Sequence, residues 1–129
     1  MDKLNPWILL AGRFLLALMF VLAGYDKLGG LEGTQQYMAS VGVPGALLPL
    51  VILAELGGGL AIVFGLLTRV ASAGLAIFTI LAALLFHADS DYVQQLLFMK
   101  NISVAGGLLI LAAAGPGRIS IDHKLGWRW

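Results

Sequence analysis

The sequence predicts an all-α integral membrane protein, a bundle of four transmembrane helices with a short interfacial helix between the first and second spans. Of its 129 residues, 60% are hydrophobic and only 12% are charged. So few polar groups cannot cover the surface of a water-soluble domain. Because a helix needs about 20 apolar residues to cross a bilayer, the chain has room for about four crossings in a single domain.

Four apolar runs are long enough to be these spans, and we place them at 7–24, 46–67, 70–87 and 92–114. Asn5-Pro6 is typical of a helix N-cap followed by proline, Thr68 is suited to cap the third span, and Asp91 with Gln94 has the spacing of a capping box. The segment 33–40 mixes aromatic, apolar and amide side chains and is too short to cross, as expected of a helix lying in the interface.

The distribution of basic residues predicts the orientation in the lipid bilayer. Five fall outside the spans on one side, and only Lys27 falls on the other; the five are Lys3, Arg69, Arg118, Lys124 and Arg128. We therefore expect the amino terminus and the polar tail, 115–129, to face the cytoplasm.

Composition also excludes several classes of function. The formal net charge is +1 without a basic run, which gives no support to nucleic-acid binding. Cysteine is absent, so the chain has no disulfide or thiol chemistry of its own, and redox work would need a bound cofactor or a partner. His87 and His123 are predicted on opposite sides of the membrane, so we expect no metal site.

Three charged residues within the spans single out a candidate site. Arg13, Glu55 and Lys100 would each cost about 2.5 to 3.5 kcal/mol in the bilayer without a partner or water. Their depths overlap, and each shares a helix face with small residues suited to the bundle interior. With them we group the polar residues near the outer end of the spans, which are Lys27, His87, Gln94 and Asn101. The sequence thus predicts a polar pocket that opens outward.

Two interpretations of these charges stay open. In the structural one, Glu55 pairs with Arg13 or Lys100 merely to lock the helices together. In the functional one, two cations facing one carboxylate leave positive potential for an anionic or carbonyl-bearing ligand, such as a quinone.

Short motifs over most of the chain resemble those of the DoxX-like family. They are Gly12-Arg13, Gly24 to Leu28, Gly33 to Pro44, Glu55 to Gly58, Gly65 to Arg69, Phe86-His87, Phe98 to Asn101, Gly106-Gly107 and Gly115 to Arg118. The resemblance implies a four-helix protein of the bacterial inner membrane that is an oxidoreductase or a subunit of one. It favours a quinone site or a scaffold over thiol chemistry, and the family's polar positions match Arg13, Lys27, Glu55, His87, Lys100 and Asn101.

The leading hypothesis is a small inner-membrane component of a redox system that binds a quinone or a similar lipid-soluble ligand. Lys100 and Arg13 would donate to ligand oxygens, Glu55 would hold these cations, and His87 would exchange protons with the outer aqueous phase. The alternative is a non-catalytic anchor that recruits partner subunits through its tail, and the third is a small transporter. Self-association into a homo-oligomer stays open.

Overall fold

A computed structural model describes residues 4–40, 42–86 and 91–127, and all of their regular secondary structure is helical. Four helices are long and apolar enough to span a membrane, which confirms the predicted fold class. The helices are α1 (Asn5–Gly29), α2 (Leu31–Ser40), α3 (Gly45–Phe64), α4 (Thr68–Phe86), α5 (Tyr92–Ala114) and α6 (Ile121–Leu125).

The helix ends differ in detail from the sequence predictions. Leu4 takes the N-cap position of α1, so Asn5 lies inside the helix, while proline occupies the first turn as expected. Asp91 is the N-cap residue of α5, but its side chain accepts no capping hydrogen bond. The short helix α2 forms where it was predicted and begins two residues earlier, at Leu31.

The spans pack in two pairs around one apolar core. α4 and α5 contact each other along their length, and α1 packs on α3, whereas α1 and α5 make few contacts. The core combines side chains from all four spans, namely Ala17, Phe20, Ile62, Leu75, Ala76, Leu108 and Leu111. Since successive spans run in opposite directions, the start of α1, the α3–α4 turn and the end of α5 meet at one end of the bundle. We call this the terminal end, and the opposite end the loop end.

A carboxylate from the tail closes the α3–α4 turn at the terminal end. Asp122 is buried, and its two oxygens accept the backbone N–H groups of Leu67 at 2.6 Å and Thr68 at 2.8 Å. Its own N–H donates to the carbonyl of Gly65 at 2.8 Å. The first N–H groups of a helix have no partner within the helix, so Asp122 supplies the cap that we predicted from Thr68.

The neighbouring helix end is closed in a similar way. Arg69, near the start of α4, donates to the carbonyls of Ala112 at 3.2 Å and Ala113 at 2.7 Å in the last turn of α5. A Cβ atom on Gly115 would lie 2.9 Å from Arg69 Nη2, and Gly115 has a φ of +82°. The positive φ favours glycine at this position. The beginning of the tail is therefore part of the folded bundle.

We predict that Asp122→Ala destabilises the protein by about 1 to 3 kcal/mol, because it leaves two N–H groups at a buried turn without an acceptor. Thermal unfolding in detergent, followed by circular dichroism, would measure the effect. Glu32→Ala is the matched control, since it removes an exposed carboxylate from the first turn of α2. Equal unfolding temperatures for both variants would contradict the capping role.

Candidate ligand-binding pocket

The half of the bundle nearer the loop end encloses a cavity of about 280 Å³. All four spans and α2 contribute to its walls, which are mainly apolar, with Met19, Phe20, Val51 and Phe78 among them. The polar residues that line it are Lys27, Thr34, Tyr37, Glu55, Thr79, Lys100 and Asn101. An apolar cavity with a few converging polar groups is the usual form of a small-molecule site.

An ion pair between α1 and α3 lies on one wall of this cavity. Lys27 Nζ is 2.7 Å from Glu55 Oε1, and the side chain of Lys27 is 27% exposed whereas Glu55 is buried. A carboxylate at this depth needs a charged partner, because an unpaired ion within a bilayer is costly. The sequence predicted Arg13 or Lys100 as that partner, and the prediction was wrong: Lys27 holds Glu55.

The backbone around Glu55 departs from a regular α-helix. Residues Leu53–Gly57 form a π-helical turn, in which one extra residue is inserted into the helix. Such turns occur often at functional sites, because they redirect a side chain without ending the helix. The only acidic side chain of α3 is thus placed on an irregular turn at the wall of the cavity.

Gly24 allows α1 and α3 to approach closely beside the ion pair. A Cβ atom at Gly24 would lie 2.9 Å from the backbone nitrogen of Leu56, a contact that a rigid helix backbone cannot relieve. Lys27 lies three residues after Gly24, and Glu55 directly precedes Leu56. The absence of a side chain at Gly24 therefore sets the helix separation at which Lys27 reaches Glu55.

Thr79 and Asn101 form the wall contributed by α4 and α5. Asn101 Nδ2 donates to the backbone carbonyl of Thr79 at 3.4 Å, and both residues are buried. Thr79 is only 3% exposed, and its hydroxyl has no hydrogen-bond partner in the described part of the chain. Sequence reasoning missed Thr79, because a threonine hydroxyl within a helix commonly bonds to its own backbone.

Lys100 lies at the edge of the same cavity. Its side chain is exposed on the surface of the bundle, and it forms no ion pair with any residue in 4–40, 42–86 or 91–127. With Lys27 committed to Glu55, Lys100 adds a positive charge that the described residues leave unbalanced.

Arg13 belongs to the terminal end and not to the cavity. Its Nε donates to the carbonyl of Ile62 at 3.1 Å and its Nη2 to that of Val63 at 3.0 Å. Its Nη1 donates to the carbonyls of Pro116 and Ile119, each at 2.7 Å. The last carbonyls of α3 lack partners within the helix, and the guanidinium group offers enough donors for both them and the tail. The prediction that Arg13 converges with Glu55 and Lys100 was wrong.

The structure thus brings together Lys27, Glu55, Lys100 and Asn101 of the seven predicted site residues. Gln94 lies in the first turn of α5, is not among the lining residues, and has an interaction of its own. His87 lies outside the described residues. Sequence reasoning missed Thr34 and Tyr37, which α2 contributes, because a short interfacial helix carries no periodic signal that shows where it folds back.

Four helical spans with an ion pair and a mainly apolar cavity inside them define a multi-pass membrane protein with an intramembrane polar site. Comparison with known protein families identifies the family of the chain. The family model for DoxX matches residues 8–88, and the chain belongs to the DoxX family.

Two of the three relatives reported below are inner membrane proteins by name. The chain is 51% identical to inner membrane protein YqjF of Escherichia coli K12 over the full length of both chains. It is 35% identical to inner membrane protein YphA of the same strain, over 93% of this chain and 91% of that one. It is 33% identical to putative oxidoreductase CatD of Bacillus subtilis 168, over 72% of this chain and 73% of that one. No solved structure matches it.

We predict that Gly24→Ala destabilises the bundle by about 1 to 3 kcal/mol, because the added methyl group forces α1 away from α3. The same substitution at Gly74 is the control, since a Cβ atom there meets nothing within 4 Å. Alanine favours a helix over glycine by about 1 kcal/mol, so Gly74→Ala should be neutral or stabilising. Thermal unfolding of both variants in detergent tests this, and a stabilised Gly24→Ala protein would contradict the proposed close contact.

Proposed function

We propose that the protein is a small inner-membrane component of a redox system and that its cavity binds a lipid-soluble ligand with an anionic or carbonyl oxygen, such as a quinone. One observation carries this proposal: Lys27 and Lys100 line the cavity with one carboxylate, Glu55, which already pairs with Lys27. The remaining positive charge favours an electron-rich oxygen. The redox assignment is supported by the name of the CatD relative.

In this proposal the polar residues hold the ligand head group. Lys100 donates a charge-assisted hydrogen bond to a ligand oxygen, and the Thr79 hydroxyl donates a second one from α4. Glu55 keeps Lys27 in place and balances its charge. Arg13, which sequence reasoning had assigned to the ligand, has its donors directed at backbone carbonyls of α3 and the tail. A quinone, when bound, would supply the two-electron chemistry.

We further propose that the terminal end faces the cytoplasm. It carries Arg69 and the basic tail residues Arg118 and Lys124, whereas Lys27 is near the loop end. Cytoplasmic segments of membrane proteins are enriched in such residues. The cavity then lies in the outer half of the membrane.

The first prediction for this site concerns Lys100. Lys100→Met should lower quinone affinity by about tenfold or more, because a hydrogen bond from a charged donor contributes about 1.5 to 3 kcal/mol. Calorimetric titration of the purified protein with a quinone would measure this. Lys124→Met removes an exposed lysine from α6 and should leave the affinity unchanged. Equal affinity of wild type and Lys100→Met would refute the assignment of Lys100.

The second prediction uses two threonines whose buried hydroxyls both lack partners among the described residues, Thr79 in the cavity and Thr68 at the terminal end. Replacement by valine keeps the shape and removes an unpaired polar group, so neither variant should lose stability. Thr79→Val should weaken quinone binding about fivefold to tenfold, and Thr68→Val should not. Titration of both variants with a quinone tests this prediction. Identical quinone affinities of Thr79→Val and Thr68→Val would show that Thr79 is not part of the site.

The anchor alternative would use the exposed end of the tail, where Leu125 and Trp127 are 51% and 43% exposed. The preceding residues are structural, since Arg13 holds Pro116 and Ile119 while Asp122 caps α4. A truncation after Arg118 would therefore damage the bundle as well as any docking surface. We rank the anchor second because the cavity has no role in it, and the transporter third.

A further inference from the structure

We infer that the ligand of the cavity carries a long aliphatic tail, and that this tail lies in an apolar groove between α1 and α5. The inference rests on the proposed function and deepens it, because it assigns the ligand to the class of membrane-resident amphiphiles. The groove has a volume of about 470 Å³, and we call it the tail groove; Ile8, Gly12, Leu16, Gly107, Ile110 and Leu111 are among its lining residues.

The tail groove suits a hydrocarbon chain and not a second polar head group. Of the described residues that line it, Arg13 alone is charged. Arg13 is only 2% exposed, and its donors point to backbone carbonyls at the terminal end. The surface that the groove offers to a ligand is therefore apolar.

The tail groove lies on the same two helices, α1 and α5, that contribute to the cavity, and it is nearer the terminal end. On α1, Met19 lines the cavity, and Leu16, one turn away, lines the groove. On α5, Lys100 lines the cavity and Gly107 lines the groove. Seven residues separate Lys100 from Gly107, which places them on one face of the helix about 10 Å apart along the axis.

Lys100, an exposed lining residue, marks one edge at which the cavity opens. Glu55, Thr79 and Asn101 are buried, whereas Lys100 is exposed on α5, a helix that makes few contacts with α1. On the side of the loop end, α2 covers the cavity, and its Met38 is buried. A ligand that enters from the bilayer at this edge passes Lys100 first. Its head then meets Glu55 and Thr79 while its tail stays in the groove.

Gly12 and Gly107 keep the tail groove open, and neither is needed for close packing of two helices. A Cβ atom on Gly12 would meet nothing within 4 Å, and one on Gly107 would meet Leu16 only at an ordinary 3.5 Å. Gly24, by contrast, is needed for the approach of α1 to α3, where a Cβ atom would lie 2.9 Å from backbone. Absent side chains at Gly12 and Gly107 thus leave space for a ligand.

The test compares two quinones with the same ring, one bearing a decyl tail and one bearing a methyl group. Gly12→Leu places a side chain in the tail groove, and Gly74→Leu places the same side chain in open space on α4. We expect Gly12→Leu to lower the affinity for the decyl quinone about tenfold relative to Gly74→Leu. A tenfold change in affinity corresponds to about 1.4 kcal/mol of binding free energy. The affinity for the methyl quinone should stay the same in both variants.

The outcomes separate this inference from the proposed function. If Gly12→Leu binds the decyl quinone as wild type does, while Lys100→Met weakens both quinones, the groove assignment is overturned and the cavity stands. If wild type binds neither quinone, the proposed function fails, and the groove assignment fails with it. Retained binding of the methyl quinone shows that Gly12→Leu is folded.

A second measurement needs no variant. A quinone with a photoreactive diazirine at the end of its tail is incorporated with wild-type protein into phospholipid nanodiscs and illuminated, and the labelled peptides are sequenced. The expected labels fall on α1 and α5 near Leu16 and Gly107. Labels confined to α2 or α4 would overturn the groove assignment.

Discussion

A charged side chain inside a bilayer must find its partner within the protein, and the structure meets this constraint in two different ways. At the terminal end, Arg13 and Asp122 satisfy backbone groups that the helix ends leave without partners. In the other half of the bundle, Glu55 forms an ion pair with a side chain, Lys27. Backbone partners are fixed by the fold, whereas a side-chain pair can rearrange when a ligand arrives. The first arrangement therefore stabilises the bundle, and the second is suited to a site.

This division explains why stability and binding are expected to respond to different residues. The terminal end ties all four spans and the tail together through Arg13, Arg69 and Asp122, whose hydrogen bonds go to backbone groups. The cavity contains a hydroxyl on Thr79 and an ammonium group on Lys100 that the described residues leave without partners. Such unsatisfied groups cost stability, and a protein retains them where function requires them.

The fold was predictable from the sequence because apolar length determines a membrane span, and the helices form close to the predicted ranges. The site was predictable only in part. Glu55, Lys100, Lys27 and Asn101 meet at the cavity, but the predicted convergence of Arg13 with them was wrong. The depth in the membrane and the helical phase, which can be read from the sequence, predict the position of a Cα atom only. The long side chain of Arg13 extends from there to the end of a neighbouring helix. Asp122 was missed since its capping partner lies 54 residues away in the sequence.

Glycine has two different roles on α1: at one position it allows close packing of helices, and at another it leaves open space. This difference affects how a small bundle can hold a ligand. Gly24 brings α1 onto α3, which fixes the ion pair, while Gly12 faces space beside α5. With α4 and α5 packed along their length, the seam between α1 and α5 is the sparsest of the contacts between neighbouring spans. In a bilayer such a seam is filled by lipid chains, so little is lost when a ligand tail replaces them. Under the proposed function, the head group then decides which amphiphile is bound, through Lys100 and Thr79, while the tail groove adds affinity for a long tail.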